Sequence, residues 1–451
     1  MKMKSLAEQI FRSGVDHVLP DQLIRSQVKI TDNVLYVASH PFPLDTFQHI
    51  YVIGAGKASA LMARGLESIL GDRITQGHIV VKQGHACALK RMKVSEAAHP
   101  IPDKKGIQVT KDILEIVEKA GKDDLVVCLI SGGASSLLAD YPEDATLDDL
   151  IAMNQLLIES GADIQQINTV RKHLSKVKGG QLAKAIYPAC FVSLILSDVI
   201  GDPLDVIASG PTCPDCSTFA DAWRVLEEQD LLPKFPASMI NYLQNGINGL
   251  VPETPKTGNP LFARGHNLVI GNNTLALEAA KEKARALGFE VRILTSALKG
   301  DVVKAADTII DEALKIQNDP AIKKPFCLLA GGEPTIKVTG KGVGGRNQHF
   351  ALYCATRLGG KQGITILCAG TDGTDGPTDA AGAIVDCDTQ RMALHKNTDP
   401  QVYLDACDSY SFFKQVGGHI MTGNTMTNVM DLVVVIILPT HPLKRTNIDL
   451  D

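Results

Sequence analysis

Val52-Ile-Gly-Ala-Gly-Lys-Ala-Ser59 is the stretch that decides the fold. An apolar run that predicts a strand ends at Ile53, and a predicted helix begins directly after Gly54, Gly56 and Lys57. Glycines let the backbone approach a ligand closely, and a helix start offers unpaired N–H groups to an anion. The loop does not have the GxxxxGK[ST] spacing of a P-loop. Taken alone, it is equally consistent with a tight strand-to-helix turn followed by a solvated lysine.

Outward from this stretch, short apolar runs alternate with helical segments, which is typical of a doubly wound α/β protein. The runs are apolar over most of their length, as expected when helices cover both faces of a parallel sheet. The predicted strands are His49–Ile53, His78–Val81, Leu125–Ile130, Phe191–Leu196, Asn267–Ile270, Glu290–Thr295, Pro325–Ala330, Thr335–Val338, Ile364–Ala369 and Leu432–Leu438. The longest predicted helices of the first half are Lys57–Leu70, Gly106–Ala120 and Leu147–Ser160.

The chain has 451 residues, more than one hydrophobic core usually supports, so two domains are expected. Residues 245–260 are rich in Pro, Gly and Asn and interrupt the strand pattern. We therefore predict one α/β domain over residues 1–250 and a second over 251–451. The first 20 residues predict an amphipathic helix that belongs to the first of these.

The bulk composition excludes several classes of protein. A net charge of −5 gives no general attraction to nucleic acid or anionic membranes. No apolar run approaches the about 20 residues that span a bilayer, and the N-terminus lacks the apolar stretch of a signal peptide. With ten cysteines and no export signal, we expect reduced thiols and a cytoplasmic protein.

A second glycine-rich loop, Ser131-Gly132-Gly133-Ala134-Ser135, also follows a predicted strand and opens a helix. Successive backbone N–H groups in such a turn can form a nest for an anion, and the serine hydroxyls can add hydrogen bonds. A nucleophilic serine is the competing interpretation, but the Gly-x-Ser-x-Gly pattern of that class is absent. Ordinary turn chemistry remains an alternative.

Asp198 follows a third predicted strand, where a carboxylate can orient a hydroxyl, accept its proton or bind Mg²⁺. It could also simply cap the next segment. Between these two loops, Lys172 and Lys176 lie four residues apart on a predicted helix, and a solvated surface explains this pair of like charges.

The second half of the chain has the denser cluster of polar residues after strands. Glu333 follows one strand, and Arg346 and Asn347 follow the glycine-rich run Gly340–Gly345 at the start of a helix. The planar fork of arginine suits phosphate oxygens. The loop Ala369–Asp379 contains three aspartates, whose hard oxygens suit Mg²⁺ but whose spacing is not that of an EF-hand.

These stretches together resemble the glycerate 2-kinase family whose C-terminal part contains the MOFRL region. The resemblance runs through nearly the whole chain, over GAGKAS at Gly54, HPIPD at His99, SGGASSLL at Ser131, NTVRKHLSKVKGGQLA at Asn168, LSDVIGDPLDVIASGPT at Leu196, AGGEPTIKVTGKGVGGRNQ at Ala330, AGTDGTDGPTDAAGA at Ala369 and TGNTMTNVMDL at Thr422. In the last stretch, Asn424 and Met426 depart slightly from the family pattern.

The resemblance implies a Rossmann-like N-terminal domain, a C-terminal α/β domain and an active site in the cleft between them. It implies transfer of a phosphoryl group from ATP, with Mg²⁺, to the 2-hydroxyl of D-glycerate. Matching positions make Lys57 and Arg346 the leading catalytic residues and Asp198 the candidate base. Expected nucleotide- or substrate-binding residues are Gly54, Gly56, Ser131, Gly132, Gly133, Ala134, Ser135, Glu333 and Asn347. Asp372 and Asp375 are the expected Mg²⁺ ligands.

An NAD(P)-dependent hydroxypyruvate reductase is the alternative enzyme, since Gly340–Gly345 satisfies the GxGxxG pattern and some family members have that label. A dinucleotide site would want an acidic residue about 20 residues further on, and Asp372 lies somewhat late. A regulator that binds glycerate or nucleotide without catalysis is a second alternative. Expected partners are small-molecule substrates, with no nucleic acid and no membrane, and a homodimer is left open.

Overall fold

The computed structural model describes residues 2–440. The chain forms two compact units. Pro20–Ile270 form the unit that contains Lys57, here the Lys57 unit; of the described residues, 2–19 and 271–440 form the second unit, here the Arg346 unit. The structure thus divides the chain at residue 270 instead of 250, and it places the N-terminal helix in the second unit. The reason is a strand, Gly265–Gly271, which completes the sheet of the Lys57 unit.

The Lys57 unit is built on a six-stranded sheet with the order β6-β5-β4-β7-β8-β9. Pairing is parallel from β6 through to β8. The strands are β4 His49–Ala55, β5 Ile74–Lys82, β6 Lys93–Ala97, β7 Asp124–Ile130, β8 Cys190–Leu196 and β9 Gly265–Gly271. Strand β7 is buried at every residue, as predicted for a parallel sheet with helices on both faces.

Helices surround this sheet, and a small antiparallel sheet precedes it. The helices are α2 Pro20–Gln27, α3 Ser59–Leu70, α4 Lys104–Val117, α5 Ala134–Leu137, α6 Leu147–Glu159, α7 Ile164–His173, α8 Gln181–Ile186, α9 Phe219–Glu228 and α10 Ala237–Ile247. The small sheet is β1 Val28–Thr31, β2 Val34–Val37 and β3 His40–Pro43. Short 3₁₀ turns lie at Leu44–Thr46, Gly71–Arg73, Ile207–Ser209 and Pro260–Arg264. A second apolar cluster forms among α6, α7, α9 and α10, apart from the core under the sheet.

The Arg346 unit has a mixed sheet with the order β10-β11-β15-β12-β13-β14. Its strands are β10 Glu290–Leu298, β11 Phe326–Gly332, β12 Ile364–Gly370, β13 Gly382–Val385, β14 His419–Ile420 and β15 Asp431–Ile437. Its helices are α1 Lys2–His17, α11 Asn273–Ala286, α12 Val302–Asn318, α13 Arg346–Leu358, α14 Cys387–His395, α15 Pro400–Asp405 and α16 Ser409–Val416. Both units are therefore α/β, and the prediction of a Rossmann-like parallel domain with a second α/β domain is confirmed.

The order of this second sheet positions the site. Strand β15 runs antiparallel between β11 and β12, so its first residue, Asp431, lies opposite Gly332 and Gly370, the last residues of those two strands. The start of β15 and the ends of its neighbours therefore meet at one edge of the sheet.

One predicted strand is wrong. Thr335–Val338 is not a strand, since only Thr335 forms an isolated bridge, with Asp301. Val338 is 67% exposed, so its apolar side chain has no sheet face to pack against. Across residues 2–440, no helix has the length and apolar character needed to cross a lipid bilayer.

Candidate functional site

In the Lys57 unit, two glycine-rich loops are hydrogen-bonded to each other. The N–H of Lys57 donates to the Gly132 carbonyl at 2.9 Å, and the N–H of Ser131 donates to the Ala55 carbonyl at 3.1 Å. A Cβ at Gly54 would lie 2.8 Å from the Leu129 carbonyl oxygen, so only glycine lets the two strand ends approach this closely. The two predicted loops therefore form one surface, here the Lys57 edge, which the parallel pairing of β4 with β7 explains.

The side chain of Ser131 is buried within the Lys57 edge. It is 2% exposed, and its Oγ accepts a hydrogen bond from the Ala58 N–H at 3.0 Å and lies 3.0 Å from the Ser59 Oγ. Its hydroxyl ties the start of α3 to the neighbouring loop, and its contact with a nucleotide or substrate stays a prediction. Ser135 is half-buried and lies 3.0 Å from the Ser209 Oγ.

Gly132 and Gly133 bring two further side chains to the Lys57 edge. A Cβ on Gly132 would lie 2.1 Å from Asp198 Oδ2, and one on Gly133 would lie 2.8 Å from His99 Nε2. The carboxylate of Asp198 and the imidazole of His99 therefore pack directly on the glycine pair. The structure brings together Lys57, Asp198 and both glycines, as the spacing of the loops predicts.

His99 is a site residue that sequence reasoning missed, although its HPIPD stretch was part of the resemblance. Burial lowers the pKa of His99 to about 4, and the nearby charges of Lys57, Lys82 and His85 act in the same direction. The Nδ1 of His85 lies 3.0 Å from the Lys57 carbonyl oxygen. Several cationic or potentially cationic side chains thus surround the loop, and they favour an anionic ligand.

The expectation of a solvated Lys172 is wrong. Lys172 is 5% exposed, and its ammonium donates to Asp215 at 3.2 Å and lies 3.5 Å from Asp205. Lys176 alone of the pair is exposed. A periodic sequence cannot distinguish a solvated lysine from one paired with a buried carboxylate that lies 43 residues further along the chain.

In the Arg346 unit, the start of α13 is capped from another loop. The buried carboxylate of Asp375 accepts from the N–H groups of Asn347 at 3.0 Å and Gln348 at 2.9 Å, and from both of their side-chain amides. Burial raises its pKa, against these hydrogen bonds. Both oxygens of Asp375 serve the cap in this structure, and its metal role stays a prediction. Asn347 is 1% exposed and takes part in the same cap, and its role in ligand binding stays a prediction.

Arg346 is the first residue of α13, and its guanidinium is held by two carboxylates. Nε donates to Asp431 Oδ2 at 2.6 Å and Nη2 donates to Asp431 Oδ1 at 3.0 Å, a bidentate pair. Nη1 lies 2.9 Å from Glu333 Oε1. Side-chain exposure is 2% for Asp431 and 44% for Glu333, so one partner is buried and the other faces solvent.

The charges around Arg346 change the pKa values of Arg346 and Glu333. Burial alone would lower the pKa of its guanidinium, but hydrogen bonds and charge from Asp431, with Glu333, raise it overall. Burial raises the pKa of Glu333, as do the charges of Asp431 and Asp372, while Arg346 opposes them. We call these four residues the Arg346 edge; with its three carboxylates and one guanidinium it is acidic.

Asp372 lies at this edge because its loop leaves β12. A Cβ on Gly370 would lie 3.2 Å from Asp372 Oδ1 and 3.5 Å from Asp431 Oδ1. The same Asp372 oxygen accepts from the Thr374 N–H at 3.0 Å. Asp379 is exposed and accepts from the Tyr410 hydroxyl at 2.8 Å. Over residues 2–440, no three His, Cys, Asp or Glu side chains are arranged to hold a metal ion by themselves.

Asp431 is the second residue that sequence reasoning missed. Candidates were sought in loops that follow strands, and Asp431 begins an antiparallel strand that starts where its neighbours end. The signal available was a lone acidic residue at the head of the apolar run Leu432–Ile437, inside a stretch that already carried the resemblance.

Comparison with known proteins gives matches along the whole chain. A family described as a domain of unknown function, DUF4147, matches residues 6–244, and the MOFRL family matches residues 326–431. The D-glycerate 2-kinase of Thermotoga maritima is 38% identical over 97% of this chain and 99% of its own length. A crystal structure of a glycerate kinase from the same organism superposes with a TM-score of 0.86 at 38% identity, over 97% of this chain and 100% of that one.

A different name also occurs among the relatives. A putative hydroxypyruvate reductase of Agrobacterium vitis is 41% identical, over 86% of each chain. Sequence similarity alone therefore does not distinguish a kinase from a reductase. The geometry of the glycine-rich loops has to distinguish these two activities.

Proposed function

The chain belongs to the glycerate 2-kinase family, phosphotransferases with an alcohol acceptor, and we propose that it uses ATP and Mg²⁺ to phosphorylate the 2-hydroxyl of D-glycerate, giving 2-phospho-D-glycerate and ADP. One observation carries the proposal. At the Lys57 edge, Lys57 and the carboxylate of Asp198 lie with the same pair of glycines, in surroundings that favour an anion. That combination provides a cation for a phosphoryl group and an acceptor for a hydroxyl proton.

Asp198 is the proposed base. Asp198 follows the end of β8, and its carboxylate packs on Gly132, where a substrate hydroxyl could donate to it. As the hydroxyl oxygen attacks phosphorus, its proton passes to the carboxylate, and the bond from phosphorus to the bridging oxygen of ADP breaks. Phosphoryl transfer has a loose transition state, so orienting the hydroxyl matters more than strong basicity.

Lys57 and Arg346 are proposed to stabilise the charge on the transferred phosphoryl group. Lys57 is half-buried beside the start of α3, where backbone N–H groups add to the positive potential. Arg346 belongs to the other unit, and Asp431 already fixes one side of its fork. These assignments also rest on the matching family positions.

The donor chemistry at the Arg346 edge fits Mg²⁺. Magnesium usually takes one or two carboxylates and fills its other positions with water and substrate phosphates. Glu333 and Asp372 offer such oxygens where solvent reaches, and the acidic balance of this edge would otherwise repel a polyphosphate. Glu333 and Asp372 would hold the ion, which when bound would neutralise phosphate charge.

The geometry of Gly340–Gly345 argues against a dinucleotide site and so against the reductase. A Cβ on Gly340 would lie 2.1 Å from the Ala406 carbonyl oxygen, and the N–H of Gly342 donates to that oxygen at 3.0 Å. The N–H of Val343 donates to Asp408 Oδ1 at 2.9 Å. These glycines serve close packing on the chain itself, and the N–H groups of Gly342 and Val343 are already used within the protein instead of facing a pyrophosphate.

Identification of the product tests the proposal. Purified protein is incubated with ATP, Mg²⁺ and D-glycerate, and phosphorus NMR distinguishes 2-phosphoglycerate from 3-phosphoglycerate. We expect 2-phosphoglycerate only when all three are present, with L-glycerate as the matched control. Formation of the 3-phosphate, or NADH oxidation with hydroxypyruvate and no ATP turnover, would contradict it.

A further inference from the structure

The unusual feature of Arg346 is that its charge is already matched before any ligand binds. Of the five N–H donors of a guanidinium, Asp431 accepts two and Glu333 one. A bidentate carboxylate at 2.6 and 3.0 Å is a strong, directional pair that fixes the plane of the fork.

The two carboxylates differ in how firmly they are held. Asp431 is 1% exposed and begins β15, whose backbone is paired on both sides, so its side chain has little freedom. Asn273 donates from its amide to the Asp431 carbonyl at 3.0 Å and to the Val429 carbonyl at 2.8 Å, which further fixes the start of the strand. Glu333 is 44% exposed and lies in a loop, where ion pairs exchange readily with solvent.

We propose that Asp431 is a positioning residue that fixes the Nε and Nη2 side of Arg346, so that Nη1 exchanges Glu333 for an oxygen of the transferred phosphoryl group. Arg346 then meets that group with its plane already oriented, and the positioning is complete before the ligand arrives. Glu333, once displaced, is released to solvent or to the nucleotide-bound Mg²⁺.

Charge balance supports this division of roles. If both carboxylates stayed on Arg346, the guanidinium would have a net negative surrounding and would repel a phosphate. After Glu333 is displaced, Arg346 is still paired with one buried carboxylate, that of Asp431. The Nη1 side of its guanidinium then has N–H donors for an incoming phosphoryl oxygen.

The inference rests on the proposed kinase function, so the test has one readout that needs activity and one that does not. The activity readout is a double-mutant cycle of Asp431→Asn and Arg346→Ala, with kcat and KM measured separately. We expect Asp431→Asn alone to lower kcat roughly 10- to 100-fold, the range for residues that orient a functional group, with KM within about threefold. In the Arg346→Ala background the same substitution should change kcat less than about twofold.

The matched control is Asp386→Asn. Asp386 is the N-cap of α14 in the same unit, where its side chain accepts from the Asp388 N–H at 3.1 Å and pairs with Lys4 at 3.0 Å. It should lower the melting temperature while kcat of the folded protein stays within about threefold of the parent, since loss of a partly buried ion pair affects stability. If Asp431→Asn acted only through stability, it would behave like this control and its effect would be the same in both Arg346 backgrounds.

The second readout is the Nε–H resonance of Arg346 in protein labelled with nitrogen-15 arginine. We expect a slowly exchanging signal in the parent that persists in Glu333→Gln and after addition of ATP, Mg²⁺ and glycerate, and is lost in Asp431→Asn. If the parent protein forms no 2-phosphoglycerate, the proposed function is wrong. The Nε–H signal then still tests whether Asp431 pairs with Arg346. A signal lost in Glu333→Gln and retained in Asp431→Asn, or equal effects of Asp431→Asn with and without Arg346, would overturn the inference.

Discussion

The two edges that carry the candidate residues have opposite charge. At the Lys57 edge, burial and the charges of Lys57, Lys82 and His85 lower the pKa of His99 to about 4. At the Arg346 edge, three carboxylates surround one guanidinium, and the pKa of Glu333 is raised. A cationic surface can take an anion directly, whereas an acidic surface takes a phosphate only with a cation or after a carboxylate has left. The difference assigns each edge its own chemistry.

Topology produces this difference. Parallel strands place the loops that follow them at one edge, so the Lys57 edge consists of strand-to-helix loops. The antiparallel β15 adds its own first residue, the buried Asp431, to the Arg346 edge. The antiparallel strand of this mixed sheet thus supplies a fixed counter-charge to Arg346 at the start of α13.

The largest effect is expected for Lys57→Ala. Loss of a cation that meets the transferred phosphoryl group should lower kcat on the order of 10³-fold, with less effect on KM. Lys111→Ala, an exposed lysine on α4, is the matched control and should leave kcat unchanged. Steady-state kinetics give kcat and KM of each variant, and circular dichroism confirms that it is folded. A folded Lys57→Ala protein with kcat within about threefold of the parent would remove the Lys57 edge from the catalytic site.

Arg346→Lys should come next. A single ammonium cannot span both oxygens of Asp431 and still present a donor to a phosphoryl group, so we expect a kcat loss of several hundredfold, close to that of Arg346→Ala. The comparison of the two variants decides whether geometry or charge matters. Recovery of most of the parent rate by lysine would mean that the Arg346 edge contributes only diffuse positive charge.

Gly132→Ala tests the contact between the glycine pair and Asp198. The new methyl group would lie 2.1 Å from Asp198 Oδ2, so the carboxylate must move, and a displacement of about 1 Å typically costs about 100-fold in rate. Gly121→Ala is the control, because its Cβ would meet only Asp124 Oδ2 at 3.7 Å. Full activity of Gly132→Ala would show that the position of Asp198 does not matter.

The smallest effect concerns the pKa of His99. The parent value of about 4 should rise in Lys82→Gln, since one neighbouring positive charge is removed, yet stay below the ordinary value because burial is the larger cause. Proton NMR titration of the His99 ring measures it, with Lys111→Gln as the control. No rise would mean that the Lys57 edge is less cationic than its residues indicate.

The same pKa sets the sign of a pH effect on stability. His99 is neutral in the folded chain down to about pH 4, whereas in the unfolded chain it takes up a proton near pH 6.5. Between these values the unfolded state binds more protons, so the free energy of unfolding decreases as pH falls from about 6.5 to 4 and the contribution is fully present above 6.5. Denaturant titrations across this range should show a shallower decrease in Lys82→Gln.

Sequence reasoning predicted the Lys57 unit well because parallel α/β topology obeys simple rules. Apolar runs and glycine turns identify β4 and β7, and parallel pairing then places Lys57, Gly132 and Asp198 together. It could not predict that β9 belongs to the first sheet, since a short apolar run carries no information on which sheet it joins.

The Arg346 unit was predicted less completely, for a physical reason. A buried carboxylate reveals nothing in sequence about whether it binds metal or caps a helix, so Asp375 and Asp372 looked alike while only one of them is fully used by α13. The partner of Arg346 lies 85 residues away and is the first residue of its strand. Long-range pairing of this kind depends on strand order, which local patterns do not fix.

Helix α1 packs against parts of the Arg346 unit that are synthesised long after α1 itself. It lies against α11, β12 and β15, burying Ile10, Phe11 and Val15, and a Cβ on Gly14 would lie 2.9 Å from the Ala276 carbonyl oxygen. A ribosome making about 5–20 residues per second completes these partners tens of seconds after α1 has emerged. Throughout that interval the nascent chain has an apolar stripe without its native cover, a natural target for a chaperone. The unit that contains Arg346 thus closes only when both α1 and β15 have been made.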